Sequence, residues 1–425
     1  MDCWLECMNC GASYPLDEVR YECDRCVGLL DLQRDLKALP GQAAKAFFEG
    51  RRSAWQGPDA SGVWRYRELV LPASEHEIVT RPEGNTPLYR SQRLSDWAGV
   101  ADLQFKHEGE NPTGSFKDRG MTVGVTQARR LGCRAAACAS TGNTSASLAA
   151  YGALAGMQVW VFVPEGKIAM GKLAQAMAYG ARTLQIRGDF DAAMTLVRQV
   201  CDASGVYLLN SVNPFRIEGQ KSIVFEMLQQ RAWQPPDWIV LPAGNLGNTS
   251  AFGKALVELM QLGIIEKMPR LACVQAAGAN PFYLSYRDGF RARHQVAAHT
   301  LATAIRIGNP VSHERAVRAL RWTDGLVTEV TDQEIMDAKA AIDAAGIGCE
   351  PASASTLAGI RKLAAEGVIG RQESIVAVLT GHLLKDPEAT IAYHLGQLEG
   401  ITSDSLAAPV VVDATLDAVQ RVLGA

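Results

Sequence analysis

From about Glu83 the chain alternates two kinds of stretch. Runs with apolar residues at helical spacing end at a glycine, and each is followed by a short apolar run rich in Val, Ala and Leu. Residues 118–131 close at Gly132 before a strand expected over 134–139, and 144–155 close at Gly156 before 159–163. Residues 167–179 close at Gly180 before 182–186, and 189–204 close at Gly205 before 206–209. Glycine suits these ends because it takes the left-handed conformation without a Cβ penalty. The rhythm continues with helices expected over 217–231, 249–262, 332–345 and 352–365, and strands over 238–241, 271–274, 327–330 and 375–379. Repeated strand–helix units predict an α/β fold whose parallel sheets are covered on both faces. Residues 148–164 hold one strongly polar side chain, Gln158, but Gly156 divides them into an Ala/Leu half and a Val/Trp/Phe half. That division predicts a helix followed by a buried strand and argues against a membrane span.

Other parts of the chain lack this rhythm. Residues 1–36 carry paired cysteines. Residues 37–82, with Pro40, Gly41, Gly57, Pro58, Gly62, Pro72 and Pro82, read as an irregular connector containing one helix near 43–50. The alternating pattern fills 83–400, and 401–425 form a tail with an extended stretch at 409–412 and an amphipathic helix over 414–423. A chain of 425 residues exceeds what one hydrophobic core serves. With 48% hydrophobic and 20% charged residues it is ordinary globular material. A net charge of 42 − 45 = −3, with no Lys/Arg run longer than two, argues against nucleic-acid binding and against a polybasic membrane patch. The acidic start, MDCWLEC, lacks the basic-then-apolar pattern of a signal peptide, so a soluble, cytoplasmic protein is expected.

The ten cysteines fall into two sets. Cys133, Cys138, Cys201, Cys273 and Cys349 are scattered among Ala, Leu and Val, as small buried hydrophobes in a reducing cytosol would be. Cys7 and Cys10 pair with Cys23 and Cys26 as two CxxC units, with Cys3 just outside. Two such turns supply four thiolates for a tetrahedral structural zinc. A ribbon that no longer holds metal is the other reading, and the strand-to-helix context of a redox CxxC is missing. Neither reading gives this module the chemistry.

Common catalytic signatures are absent: there is no HExxH, GxSxG or GxGxxG, and no Gly-Lys is followed by Ser or Thr. Three loops draw attention instead. In ENPTGSFKDRG (110–120), Lys117 stands where a helix is expected to begin, and the dipole and partial burial there favour a neutral amine, the nucleophile for a Schiff base. An ordinary lysine lying across a core edge is the plainer alternative. In STGNTS (140–145), small hydroxylic residues leave helix N–H groups open to an anion such as a carboxylate, or Thr141 or Asn143 simply caps the helix. In GNLGNT (244–249), two glycines permit a phosphate nest, or only a tight turn. An amine, a carboxylate cradle and a phosphate cradle together make the parts of a pyridoxal-phosphate enzyme.

These segments resemble the fold-type II pyridoxal-phosphate family, whose architecture is tryptophan synthase β-like. NPTGSFKDRG, STGNT, NSVNPFRIEGQK, GNLGN, AIRIGNPVS, CEPASA and LTGHLLKDP occur in that family's expected order over about 84–387. The run 210–221, with AIRIGNP and GHLLKDP, is most similar to its threonine-forming branch. The resemblance implies two parallel-sheet α/β domains behind the N-terminal ribbon: a small mobile subdomain at about 111–210, and a large one from 83–110 and 211–400. It implies that Lys117 is the catalytic residue, bonded to pyridoxal 5'-phosphate and moving protons. Asn143 would meet the cofactor's ring oxygen, and Gly244, Asn245, Leu246, Gly247 and Asn248 its phosphate. Thr380 would face the ring nitrogen, where a neutral hydroxyl weakens the electron sink. Ser140, Thr141 and Thr144 would bind the substrate's carboxylate, and Asn210, Ser211 and Arg216 its phosphate. The implied reaction turns O-phospho-L-homoserine and water into L-threonine and phosphate, in a protein expected to be a homodimer. A related enzyme adding sulfite to phosphoserine would share every cofactor residue, and a non-catalytic paralogue is disfavoured by the intact Lys117. Two positions depart from the family pattern: Leu383 replaces a glycine near Thr380, and Leu246 stands where a smaller residue is common.

Overall fold

The computed structural model describes every residue except Met1, Pro40, 167–169, Asp189 and Ala425. Three strands near the start, β1 (Cys3–Cys7), β2 (Ser13–Tyr14) and β3 (Leu30–Arg34), form an antiparallel ribbon in the order β2-β1-β3. Along the chain follow β4 (Leu88–Arg90), β5 (Asp102–His107), β6 (Ala135–Ala139), β7 (Gln158–Pro164), β8 (Arg182–Ile186) and β9 (Tyr207–Leu208). Beyond them lie β10 (Trp238–Pro242), β11 (Arg270–Ala276), β12 (Leu326–Val330) and β13 (Ser374–Leu379). Two parallel sheets result. One has the order β8-β7-β6-β9 and the other β12-β11-β10-β13-β5-β4, so the α/β expectation of parallel sheets holds. Only β4 breaks the predicted parallel arrangement, pairing antiparallel with β5 at the sheet edge.

The glycine signals hold: Gly132, Gly156, Gly180 and Gly205 all adopt positive φ, from 62° to 79°, just past the helices they close. Residues 148–164 divide as expected into the end of the Asn143–Leu154 helix and β7. No helix among the described residues is long and apolar enough to cross a membrane. The helix expected from 217 begins three residues earlier, at Pro214, because Asn213 caps it and proline sits at its first position. The strand expected over 206–209 shrinks to β9. The predicted helix starts at 167 and 189 lie outside the described residues, and the terminal helix runs Leu416–Leu423.

The connector has the one helix expected and an otherwise irregular backbone, broken only by single 3-10 turns and the four-residue helix Arg67–Val70, yet much of it is core. Its helix spans Gly41–Arg51, and Trp64, Tyr66, Leu69, Val70 and Leu71 are wholly buried. Trp64 Nε1 donates to Thr122 Oγ1 at 2.8 Å, and the Tyr66 ring packs against Phe48 and Phe225. Helices over Gln92–Ala98, Pro281–Arg287 and His313–Trp322 were not predicted either.

Charges are buried in matched groups. Lys106 meets Glu226 at 2.6 Å, and Arg119 bridges Glu108 at 2.6 Å and Glu226 at 2.9 Å. Arg34, the last residue of β3, pairs with Glu218 and Glu258 on the Pro214–Gln230 and Gly247–Gln261 helices, where Lys221 and Lys254 complete the cluster. Such groups specify geometry more than they add stability, because each charge must be desolvated. Here they fasten the ribbon to the two helices that shape the site.

Candidate active site

The first loop is held rigidly. Asp118 accepts from the Thr113 N–H at 2.7 Å, the Thr113 hydroxyl at 2.6 Å and the Ser147 hydroxyl at 2.6 Å. Burial nevertheless lifts its carboxyl to about 6. The Phe116 N–H donates to the Thr380 carbonyl at 3.0 Å, which stitches this loop to the end of β13. Lys117 is the first residue of the Lys117–Arg130 helix, with its Nζ 4.1 Å from the Phe116 ring centre. Burial and then the Arg216 charge pull its ammonium down to about 7, against the opposing pull of Glu350. A substantial neutral fraction at physiological pH follows, as expected of a nucleophile or base.

The second loop turns into the Asn143–Leu154 helix at Gly142, and no side chain caps it. Capping by Thr141 or Asn143 is therefore overturned: Asn143 Nδ2 donates instead to Glu350 Oε2 at 3.1 Å. Ser140, Thr141 and Thr144 are half-buried around the open helix end, with the Ser140 hydroxyl accepting from the Gly142 N–H at 3.3 Å.

The third loop is more than a tight turn. The Gly247–Gln261 helix likewise starts without a side-chain cap, preceded by Leu246 in left-handed conformation at φ 63°. A Cβ on Gly247 would come within 3.1 Å of Gln220 Oε1, and one on Gly244 within 3.1 Å of the Ile305 Cα. Asn248 Oδ1 and Gln220 Oε1 are buried without a partner among the described residues. Asn245 spans its neighbours, donating to Ser211 Oγ at 3.3 Å and accepting from the Val311 N–H at 3.0 Å. The Leu246 side chain is buried in the core, so only its backbone faces the cradle. An open helix end, uncapped by any side chain and with little room for a Cβ at either glycine, fits a phosphate.

Arg216 is almost wholly buried, and its only hydrogen bond among the described residues goes from Nη1 to the Leu209 carbonyl at 3.3 Å. No carboxylate pairs with it there, and burial lowers it to about 10. A buried guanidinium without a counter-ion has the fork geometry for a phosphate. Asn210 is engaged differently from its neighbours: its amide accepts from the Ala139 N–H at 2.9 Å and donates to the Ala139 carbonyl at 3.1 Å, fixing the approach to Ser140. Leu383, expected beside the cofactor, lies against Gly348.

Sequence reasoning missed three residues. Glu350, buried just before the Pro351–Ala365 helix, reaches both Asn143 and Thr380. Ser353 hydrogen-bonds Thr380, and Gln220 lines the glycine turn. An acidic residue wedged between Cys349 and a helix-starting proline was the available signal for Glu350.

In the ribbon, the Sγ atoms of Cys7, Cys10, Cys23 and Cys26 all lie within 4.8 Å of one another. Cys7 and Cys26 are 3.4 Å apart and Cys10 and Cys23 3.6 Å. Metal–sulfur bonds of about 2.3 Å in a tetrahedron require sulfur separations of about 3.8 Å, close to these values.

The family described as pyridoxal-phosphate dependent enzyme matches residues 79–381. Threonine synthase of Methanosarcina acetivorans is 48% identical over 421 residues, which are 99% of this chain and 98% of that one. Threonine synthase of Methanocaldococcus jannaschii is 48% identical over 389 residues, covering 91% and 93%. Among solved structures, threonine synthase from Escherichia coli aligns over 99% of both chains with a TM-score of 0.65 at 18% identity. Threonine deaminase isoform 2 from Solanum lycopersicum aligns over 77% of this chain and 92% of its own, with a TM-score of 0.64 at 20% identity.

Proposed function

The chain belongs to the pyridoxal-phosphate dependent enzyme family, and from that premise we propose that it acts as a threonine synthase, converting O-phospho-L-homoserine and water to L-threonine and phosphate. The observation that carries the substrate is Arg216, a buried guanidinium with no carboxylate partner among the described residues, close enough to Lys117 to lower its pKa.

Pyridoxal phosphate, when bound, supplies the electron sink that makes protons beside the substrate's amino-bearing carbon removable. Lys117 would attach it, the 244–248 turn would hold its phosphate, and Asn143 and Thr380 would meet its ring. Lys117 Nζ, neutral in large part near pH 7, takes and returns the protons on the substrate's carbons. The open end of the Asn143–Leu154 helix, with Ser140, Thr141 and Thr144, holds the substrate carboxylate. Arg216 and Ser211 hold its phosphate, which leaves as water adds at the neighbouring carbon. Asn210 serves this pocket by fixing the strand that leads to Ser140.

Three further features belong to the same reading. Residues 111–210 form the subdomain that moves against the remainder of 83–400. Cys7, Cys10, Cys23 and Cys26 hold a structural zinc. The protein is a cytoplasmic homodimer, a setting that suits ten cysteines none of which forms a disulfide.

Incubation with O-phospho-L-homoserine should release equal amounts of phosphate and threonine. Product only from phosphoserine plus sulfite would replace this substrate with the sulfite-adding alternative.

A further inference from the structure

Three side chains behind the site make a directed chain of hydrogen bonds. Ser353 Oγ accepts from the Thr380 N–H at 2.8 Å and from the Gly381 N–H at 3.0 Å. A hydroxyl has two lone pairs, so both are spent, and its own proton must go to Thr380 Oγ1, 3.1 Å away. Thr380 then keeps one proton and one lone pair. On one side it faces Glu350 Oε1 at 3.4 Å, and the other Glu350 oxygen accepts from Asn143. All three side chains are at most 5% exposed. Gly381 is what admits the carboxyl, because a Cβ there would lie 2.3 Å from its carbon.

We propose that Glu350 and the cofactor's ring nitrogen share one proton through the Thr380 hydroxyl, making Glu350 the positioning residue that sets the strength of the electron sink. This rests on the preceding placement of the ring nitrogen at Thr380. With Glu350 ionised, Thr380 donates to the carboxylate and offers its free lone pair to a protonated ring nitrogen. With the proton on Glu350 Oε1, both Thr380 lone pairs are filled and its hydrogen points at an unprotonated ring nitrogen. The two arrangements contain the same number of protons. A carboxyl thus stands directly behind the neutral hydroxyl expected to face the ring nitrogen. The groups that face Glu350 pull both ways, and burial, the largest influence, leaves its carboxyl raised above the usual range. Burial and Asp386 favour the protonated carboxyl, while Asn143, Lys385 and Lys117 favour the carboxylate, and the neighbouring Cys349 thiol is held neutral by burial.

The test loads the full-length protein with pyridoxal phosphate isotopically labelled at the ring nitrogen, and reads that nitrogen's chemical shift together with the absorption spectrum. In Glu350→Gln the amide oxygen must accept from Asn143, which turns the amide N–H toward Thr380 and locks the ring nitrogen unprotonated. The resonance should move to the unprotonated position, with kcat falling roughly tenfold or more. Glu350→Asp, which keeps the acid but withdraws it, should fall between. Coincident resonances in wild type and Glu350→Gln, both with cofactor bound, would overturn the proposal. Should Glu350→Gln fail to fold or to retain cofactor, Thr380→Val decides: it cuts the relay with Glu350 intact, and an unmoved resonance there sinks the idea equally. Wild-type protein that takes up no pyridoxal phosphate would refute the cofactor assignment instead.

Discussion

Lys117 lies at the junction of catalysis and stability. Burial brings its folded pKa down to about 7 from an ordinary 10.5. Between those values the unfolded chain binds a proton that the folded chain does not, so this group's contribution to stability rises with pH over that window. Below pH 7 both states are protonated and the full cost of the buried charge remains. Lys117→Met should therefore stabilise the cofactor-free protein near neutral pH, and its advantage should fade as pH approaches 10, which paired urea titrations would reveal. The same variant should lack the visible band of attached cofactor and lose on the order of 10²–10⁴ in turnover. Arg216→Met, removing the unpaired guanidinium but keeping much of its length, should raise KM for O-phospho-L-homoserine by more than about tenfold while leaving the cofactor band in place. An unchanged KM would remove Arg216 from the phosphate pocket.

Among the elements, the Lys117–Arg130 and Pro214–Gln230 helices approach each other closely through two glycines. A Cβ on Gly219 would come 1.9 Å from the Arg119 carbonyl oxygen, and one on Gly120 would come 2.8 Å from that of Arg216. Gly219→Ala must push the helices apart, at a cost of about 1–3 kcal/mol or more, and a lowered melting temperature with lost cofactor affinity is expected. A melting curve identical to wild type would show that the helices part freely. These elements were readable where local chemistry decides them. The glycines that end four helices, and the apolar strands between, needed no tertiary information. β5 was hidden because Gln104, Lys106 and His107 interrupt its apolar pattern, and their burial makes sense only with Glu226, Gln230 and the Gly348 carbonyl brought in from far along the chain. In the 37–82 segment the prolines and glycines announce an irregular backbone, but nothing local shows that Phe48, Trp64 and Tyr66 are core while Trp55 is exposed. At the site, Lys117 and the two helix-opening loops were legible as local motifs. Glu350 and Ser353 acquire meaning only from Thr380, which the fold brings to them.

For the whole molecule, the ribbon is joined to the catalytic helices by buried charge. Glu218→Gln removes a carboxylate shared by Arg34, Lys221 and Lys254 and leaves Glu258 to answer Arg34 and Lys221 alone. A loss of roughly 3–5 kcal/mol in urea unfolding is expected, because partners stay buried without their counter-charge. Metal removal by a strong chelator should act through the same joint, loosening the ribbon and lowering the melting temperature. Metal analysis finding no zinc in protein purified without chelators would withdraw that site.

The pairing of Arg34 with Glu258 has a consequence for biosynthesis on the ribosome. The two are 224 positions apart, so at typical translation speeds of about 5–20 residues per second the arginine is made roughly 10–45 s before its partner. During that interval the first segment cannot dock, and its early-synthesised cysteines stand open to oxidation or to premature metal capture. Synonymous codons that slow elongation between the two positions would lengthen the exposure and should lower the yield of active enzyme without altering a single amino acid.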